Sequence, residues 1–217
     1  VNEQVFGLNS TTTFKYLQLG LSFVYTMFDH QLIPESSGYN QFLFKGDRLT
    51  TAGLYYRFRL AKFNFFGETA IENTLGVASL NGVMFSPVSR ASLVLLHRYY
   101  SKKFDSFYAN AFSESSRNGN ETGFYSGIEI YPFKKWKLSA YADSYKFLWT
   151  TYNIASPAIG ADFLLKTEYK PRKDLSMFWK LKYEKGSKNQ SDSITPLAFI
   201  SNYWKGNIRY QLNFNTG

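Results

Sequence analysis

Apolar and polar residues alternate at every second position over several long segments of this chain. The run WKLSAYADSY, from Trp136 to Tyr145, shows tryptophan, leucine and alanine alternating with lysine, serine, tyrosine and aspartate. The same alternation is present in Thr13–Met27, Thr51–Leu60, Ile159–Tyr169, Leu175–Tyr183 and Trp204–Phe214. A period of two places successive side chains on opposite faces of a β-strand, and none of these segments carries the stripe of an amphipathic helix. The sequence therefore predicts an all-β chain.

The length of the alternating segments separates two architectures. Strands of a soluble sandwich average about five or six residues, whereas a strand that crosses an outer membrane needs about nine to eleven. The clean alternation here extends to nine residues and beyond, and the polar side carries glycine and charges of both signs. Both properties favour an antiparallel transmembrane β-barrel of the outer-membrane type. We expect residues 1–217 to form a single barrel domain in the outer membrane of a Gram-negative bacterium; a soluble β-protein is the alternative.

The connections between the segments also fit such a barrel. Short turns near Ala61, at 132–135 and at 170–174 contrast with long polar stretches such as 29–40 and 184–196. Outer-membrane barrels place short turns on one rim and long loops on the other. Aromatic residues make up 19% of the chain, and those at segment ends are predicted to form a girdle at the membrane interface. The predicted interfacial aromatics are Tyr131, Phe133, Trp136, Tyr169, Tyr183, Tyr203 and Trp204.

The number of strands does not fit a complete barrel. Ten or eleven strands can be marked, but bacterial single-chain barrels have an even number. Segments 73–85 and 104–114 cannot both be spans if the short turns share one rim. Either one of them is a loop or a partial strand, or strands of the barrel lie outside this chain. The start at Val1, without a methionine or a signal peptide, also suggests a mature or partial chain.

The sequence offers little for catalysis, so we predict that the chain is not an enzyme. It has no cysteine, and its two histidines are His30, in a predicted loop beside Asp29, and His97, near the end of a predicted span. Neither histidine has a neighbouring set of residues typical of a nucleophile and its base. No metal-ligand spacing and no glycine-rich phosphate loop are present, so no cofactor is expected.

Charged residues on the polar sides of the segments are predicted to face the lumen. Paired across neighbouring strands, they would form a self-neutralising ladder that fills a narrow barrel; the alternative is a pore lining that selects solutes. The net charge of +9 suits a water-lined surface, or attraction to anions such as lipid head groups or nucleic acid. The predicted lumen charges are Arg57, Arg59, Glu68, Glu129, Lys137, Asp143, Asp162, Lys166, Glu168, Lys180, Lys182, Glu184, Lys205 and Arg209.

Several stretches together resemble a known family. They are FNFFGETAI (63–71), LNGVMFSP with LHRYYS (80–101), NAFSESSRNGNETGFYSGIEI (110–130), KWKLSAYADSYKF (135–147) and YKPRKDLSMFWKLKYEK (169–185). They resemble the C-terminal β-barrel of Bacteroidota outer-membrane proteins that contain helix-hairpin-helix domains, over residues 15–214.

This resemblance implies an outer-membrane barrel that follows a periplasmic helix-hairpin-helix segment, a module associated with DNA backbone contact. That module is absent from this sequence, so the residues here do not support nucleic-acid binding. The family's barrel implies no catalytic residues. Its members continue past the equivalent of Phe214, which agrees with an incomplete barrel.

Two functions follow as expectations. The first is a structural or anchoring role in the outer membrane, surrounded by lipid and lipopolysaccharide, as a subunit of an assembly with other outer-membrane or periplasmic proteins. The second is a passive channel for small polar or anionic solutes. We also predict that the loop AFSESSRNGNETGFY (111–125) folds over or into the barrel mouth, with Arg117 pairing Glu114 and Glu121 and with Phe112 and Phe124 pinning its ends.

Overall fold

The computed structural model describes residues 2–115, 117–152, 154, 157–189 and 200–214. These residues form one antiparallel sheet of eleven strands, and each strand pairs with its neighbours in sequence. The strands are β1 Glu3–Thr13, β2 Leu17–Leu32, β3 Gly46–Leu60, β4 Phe63–Glu72, β5 Val77–Val88, β6 Ala91–Tyr100, β7 Glu121–Ile130, β8 Trp136–Phe147, β9 Ile159–Tyr169, β10 Leu175–Asn189 and β11 Ile200–Phe214; a 3-10 turn covers Gly38–Asn40. The predicted all-β, antiparallel fold is confirmed.

The ambiguous region of the sequence resolves into one strand and one loop. Residues 77–88 pair with β4 on one side and β6 on the other, whereas residues 104–114 form no strand. The alternating segment Thr13–Met27 is broken by a tight turn, in which the Phe14 amide donates to the Leu17 carbonyl at 2.7 Å. His30, predicted to lie in a loop, belongs to β2 instead, because β2 extends to Leu32.

The pairing register divides the strand residues between two faces of the sheet. The polar face carries Arg98, Glu121, Asp143, Asp162 and Lys182, and the apolar face carries Leu21, Leu54, Phe163, Trp179 and Leu181. The apolar face is open to the surroundings: Leu21 is 59% exposed, Leu54 50% and Trp179 47%. The charged side chains of Arg98 and Glu121 are fully buried. The usual distribution of a water-soluble sheet is therefore reversed.

Two small clusters of buried apolar residues lie on the polar face, toward the rim with the long loops. Phe44, from the loop between β2 and β3, packs on Phe28 and Leu49. A second cluster joins Tyr145 and Phe147 of β8 to Ala158. The loops also bond to each other: the Trp149 indole donates to the Gly38 carbonyl at 2.9 Å. These loop contacts cover one end of the polar face.

The sheet is not closed. β1 pairs only with β2 and β11 only with β10, and the described pairings do not join β1 to β11. Every residue of β1 is exposed, as is every residue of 203–213 in β11. The described residues include no helix that is long and apolar enough to cross a membrane.

Candidate functional site

The predicted lumen charges all lie on the polar face. Their positions follow from the register, which pairs Lys137 with Glu168, Asp143 with Asp162, and Glu184 with Lys205. Eight of the fourteen make ion pairs: Glu129, Lys137, Asp143, Asp162, Lys166, Glu168, Lys182 and Glu184. The other six have no ion pair within the described part of the chain: Arg57, Arg59, Glu68, Lys180, Lys205 and Arg209. Whether this face encloses a lumen stays a prediction.

A buried ionic cluster lies on the polar face, at the end of the strands next to the long loops. Arg98 Nε donates to Glu121 Oε1 at 2.5 Å, and Arg98 Nη1 donates to Asp143 Oδ1 at 2.8 Å. The side chains of Arg98 and Glu121 are fully buried, and that of Asp143 is 11% exposed. Hydrogen bonds between ionised groups are roughly twice as strong as neutral ones. Each buried charge thus has a partner of opposite sign, which burial requires.

Arg98 can reach both carboxylates because a glycine lies beneath it. Arg98 is on β6 and Asp143 on β8, and the strand between them has Gly123 directly opposite Arg98. A Cβ atom on Gly123 would lie 2.5 Å from Arg98 Cζ. The guanidinium therefore lies flat on the backbone of β7. Its upper side contacts the Phe112 ring, with 5.3 Å between Cζ and the ring centroid.

Phe112 belongs to a long loop described at residues 104–115 and 117–120, which we call the strap. The strap is bonded to the sheet at several points: Tyr100 Oη donates to the Phe112 carbonyl at 3.0 Å, and the amides of Glu114 and Ser115 donate to the Glu121 carboxylate at 3.0 and 3.4 Å. Asn118 holds the strap together internally, because its Oδ1 accepts from the Ala111 amide at 3.0 Å and its Nδ2 donates to the Ala109 carbonyl. The strap thus packs on the sheet; that it covers a barrel mouth stays a prediction.

The pairing predicted for Arg117 is wrong. Its Nη2 donates to the carbonyls of Phe42 at 3.3 Å and Lys102 at 3.4 Å and lies 3.9 Å from Asp105 Oδ2. Glu121 is bonded to Arg98 instead. Phe124 does not pin the strap either, since it lies on the apolar face and is 47% exposed.

A cavity of about 500 Å³ lies between the strap and strands β4–β6. Its walls are mostly apolar and include Leu80, Leu96, Phe104 and Phe112, with the Glu68 carboxylate on one side. The volume is in the range of ordinary small-molecule sites. The strap and this cavity form a concave feature of the polar face.

The strap carries a carboxyl group and a guanidinium with shifted pKa values, those of Glu114 and Arg117. Partial burial raises the pKa of Glu114 to about 7, and repulsion from the carboxylates of Asp162, Glu121 and Asp143 adds to this effect, while Lys182 opposes it. Burial lowers the pKa of the Arg117 guanidinium, and the nearby carboxylates of Asp105 and Glu72 oppose that change. Glu114 is therefore a group that can change charge near neutral pH.

Most of the predicted interfacial aromatics lie at two levels of the apolar face. Trp136 stacks on Tyr169 with 4.5 Å between ring centroids, next to the short turn that carries Tyr131 and Phe133. Nearer the other rim, the rings of Tyr183 and Trp204 are 5.2 Å apart. Tyr131 and Tyr203 are exceptions: Tyr131 Oη donates to Glu129 Oε1 of the polar face at 2.8 Å, and Tyr203 also lies on that face. The register opposes it to Gly186 on the polar face, and a Cβ on that glycine would lie 2.6 Å from the Tyr203 ring.

The histidines do not form a catalytic arrangement with a nucleophile. His30 Nδ1 lies 2.9 Å from Asp29 Oδ1, but its side chain is 78% exposed. His97 lies on the apolar face opposite Asn81. Within the described residues, no group of three or more histidine, aspartate or glutamate side chains could hold a metal ion. That the chain is not an enzyme and takes no cofactor stays a prediction.

The sequence missed Arg98 and assigned Glu121 to a loop as a partner of Arg117, although these are the two most deeply buried charges among the described residues. Arg98 follows the apolar run ASLVLLH, which obscures the alternation, and Glu121 directly follows a long polar loop. Counting every second residue along β6 from Leu96, and along β7 from Glu129, places Arg98 and Glu121 on the polar face. This phase is the signal in the sequence that could have identified both.

Comparison with protein-family models, curated proteins and solved structures finds no match to this chain, so the predicted family resemblance stays a prediction and function rests on geometry.

Proposed function

We propose that this chain is an integral outer-membrane β-barrel component with a structural or anchoring role, acting as a subunit of a larger outer-membrane assembly. The observation that supports it best is the reversed distribution of side chains. Apolar residues such as Leu21, Leu54 and Leu181 are exposed along one face, whereas charges are buried on the other. Exposed apolar surface costs about 25 cal/mol per Å² in water, and this cost disappears in hydrocarbon. Lipid and lipopolysaccharide are therefore the proposed surroundings of the apolar face.

The sheet's geometry indicates what closure would require. In an antiparallel sheet, alternate strands run in the same direction, so β1 and β11 are parallel to each other. An all-antiparallel barrel built on this sheet therefore needs an odd number of further strands between them. One added strand gives an even total, as in bacterial single-chain barrels. The backbone groups on the outer edges of β1 and β11 must also be paired if these strands lie in lipid.

The structural role is supported by the contents of the polar face. The Arg98 cluster and the strap cover its end next to the long loops, and the Lys137–Glu129 pair, with 2.7 Å between Nζ and Oε2, lies near the short turns. A filled interior stabilises a barrel and opposes free passage of solutes. Under this proposal, partners are other outer-membrane or periplasmic proteins. A periplasmic helix-hairpin-helix module would be one element that the barrel anchors.

The experiment that tests the membrane proposal compares two adjacent residues of β8. Leu138 is on the apolar face and Ser139 on the polar face. The variants Leu138→Cys and Ser139→Cys each receive a spin label and are reconstituted in lipid vesicles. Oxygen, which partitions into lipid, should relax the first label more strongly, and a water-soluble nickel chelate the second. Equal accessibility, or a protein that is monomeric in water without detergent, would overturn the proposal.

A channel for small polar or anionic solutes is the second candidate. It is favoured by the cations of β10 and β11 that have no ion pair among the described residues, namely Lys180, Lys205 and Arg209. Conductance across a planar bilayer separates the two functions. A structural subunit gives no steps, whereas a channel gives steps that depend on the anion. Recovery of stable companion proteins from detergent-solubilised outer membranes would favour the subunit.

A further inference from the structure

Like charges face each other across three neighbouring strands of the polar face. The register places Lys166 of β9 opposite Lys180 of β10, and Lys180 in turn opposite Arg209 of β11. Like charges directly opposite each other destabilise a sheet. The same face also has opposed carboxylates, because Asp162 lies opposite both Asp143 and Glu184, but those carboxylates form ion pairs with Arg98 and Lys182.

Nearby lysines on the same face are neutralised by carboxylates. Lys166 Nζ lies 2.8 Å from Glu168 Oε1, and Lys182 bonds to both Asp162 and Glu184. Lys180 and Arg209 have no such partner among the described residues.

Lys205 also has no ion pair among the described residues, but for a different reason. It lies opposite Glu184, but that carboxylate is bonded to Lys182. Across the whole patch, the cations Lys166, Lys180, Lys182, Lys205 and Arg209 outnumber the carboxylates Asp162, Glu168 and Glu184, five to three. The patch therefore has a net charge of +2, concentrated on the three cations without an ion pair.

These cations surround a small cavity of about 150 Å³. The volume equals that of about five water molecules at about 30 Å³ each. It can hold one compact oxyanion but is too small for a nucleotide. Its lining adds one further hydrogen-bond donor, the amide of Asn207. The lining residues are Lys180, Lys182, Glu184, Lys205, Asn207 and Arg209.

We propose that Lys180, Lys205 and Arg209 form a binding site for a phosphate group. Arginine presents a planar fork that binds two phosphate oxygens together, and lysine adds compact charge. A bound dianion would lie between Lys180 and Arg209 and remove the repulsion between them. Glu184 also lines the cavity and shares Lys182 with Asp162, but the four cations of the lining outnumber this one carboxylate. The site lies on the polar face, so a soluble phosphate fits it better than a lipid phosphate.

The site does not depend on membrane insertion or on closure of the sheet. Absence of phosphate binding would therefore leave the proposed structural role intact. A failed membrane test would likewise leave the phosphate site intact. Both the oxyanion and its source can be tested on the full chain in detergent at low ionic strength.

Calorimetric titration with inorganic phosphate measures the site directly. The double variant Lys180→Gln/Arg209→Gln should bind phosphate at least tenfold more weakly, because both charges facing the anion are lost. Lys137→Gln is the matched control, since Lys137 lies on the same face but is paired with Glu129; it should leave phosphate affinity unchanged. Arg209→Lys keeps the charge but loses the fork, and intermediate affinity is expected. Equal affinity in all variants, or equal competition by chloride, would overturn the site.

Thermal unfolding gives a second measurement that does not depend on detecting heat of binding. In phosphate-free buffer Lys180→Gln should raise the melting temperature, because it relieves the opposed charges. Phosphate should raise the melting temperature of the natural chain but not of this variant. A variant that is less stable without phosphate and still stabilised by it contradicts the proposal.

The source of the phosphate group is tested separately. Binding to glycerol phosphate indicates a soluble source. Binding only to vesicles containing phosphatidic acid indicates a lipid source and overturns the soluble one.

Discussion

Arg98 of β6 donates to Asp143 of β8 at 2.8 Å, reaching across the whole width of the strand between them. Together with the bond from Arg98 Nε to Glu121, this bond forms a buried ionic cluster. The cluster connects three strands and, through the Glu121 carboxylate, the strap. Its removal should therefore affect both the sheet and the loop that covers it.

The Arg98→Ala substitution should strongly destabilise the protein. It leaves Glu121 and Asp143 buried without a cation, and breaking a buried ion pair in this way costs about 3–5 kcal/mol. The free energy of unfolding, measured with urea in detergent micelles, checks this. Lys137→Ala removes one partner of the more exposed pair with Glu129 and should cost only about 0–1 kcal/mol. Similar losses in the two variants would show that the cluster does not hold the strands together.

The Gly123→Ala substitution should destabilise the protein through a steric effect on Arg98. The new Cβ would lie 2.5 Å from Arg98 Cζ, and the guanidinium cannot move without weakening its bonds to Glu121 and Asp143. Overpacking of this kind costs about 1–3 kcal/mol. Gly206→Ala is the matched control, because a Cβ on this strand glycine meets no atom within 4 Å among the described residues. A Gly123→Ala variant as stable as Gly206→Ala would contradict the close contact.

Asn118→Ala should loosen the strap. The buried amide of Asn118 accepts from the Ala111 amide and donates to the Ala109 carbonyl, and leaving such groups unsatisfied costs about 1–3 kcal/mol. Trypsin should cut after Arg117 faster in this variant than in the natural chain. Asn110, an exposed strap residue that also lines the large cavity, provides the control Asn110→Ala. Rapid cutting of the natural chain in intact cells would argue against a packed strap.

The packing of the strap should weaken as the pH rises through neutrality. The folded chain holds the Glu114 pKa at about 7, above its ordinary value of 4.5, so the folded state binds this proton more tightly than the unfolded state does. Stability from this group is fully present below about pH 4.5 and is lost as pH rises through about 7. Above that pH a charged Glu114 faces Asp162 and Glu121.

The measurement for Glu114 is the rate of trypsin cutting after Arg117 at several pH values on either side of neutrality, compared at each pH with Glu114→Gln. The ratio of the two rates removes the pH dependence of the protease itself. The natural chain should become more sensitive relative to the variant as pH rises. A ratio that stays constant would show that Glu114 carries no such proton.

Local sequence was enough to identify most of the strands and the face of the fourteen charged positions predicted to face inward. The alternation in WKLSAYADSY predicts both the strand β8 and the opposite faces of Leu138 and Ser139. This works because the pleat of a single strand sets the direction of its side chains, before any contact with the rest of the chain. Tyr203 was predicted as an interfacial aromatic from its position at a segment end and not from its phase in the strand, and its phase places it on the polar face.

Only the tertiary structure decided which charges meet and where the strap lies. Arg98 and Asp143 are 45 residues apart in sequence, and Arg117 and the Phe42 carbonyl are 75 apart. Glu114 and Glu121 are the carboxylates near Arg117 in sequence, but Glu121 forms its ion pair with Arg98. Residues 104–114 likewise carry enough aromatic residues to suggest a strand but pack as a loop over the polar face. Periodicity specifies a side chain's direction, whereas the choice among long-range partners depends on burial and close packing after the strands have assembled.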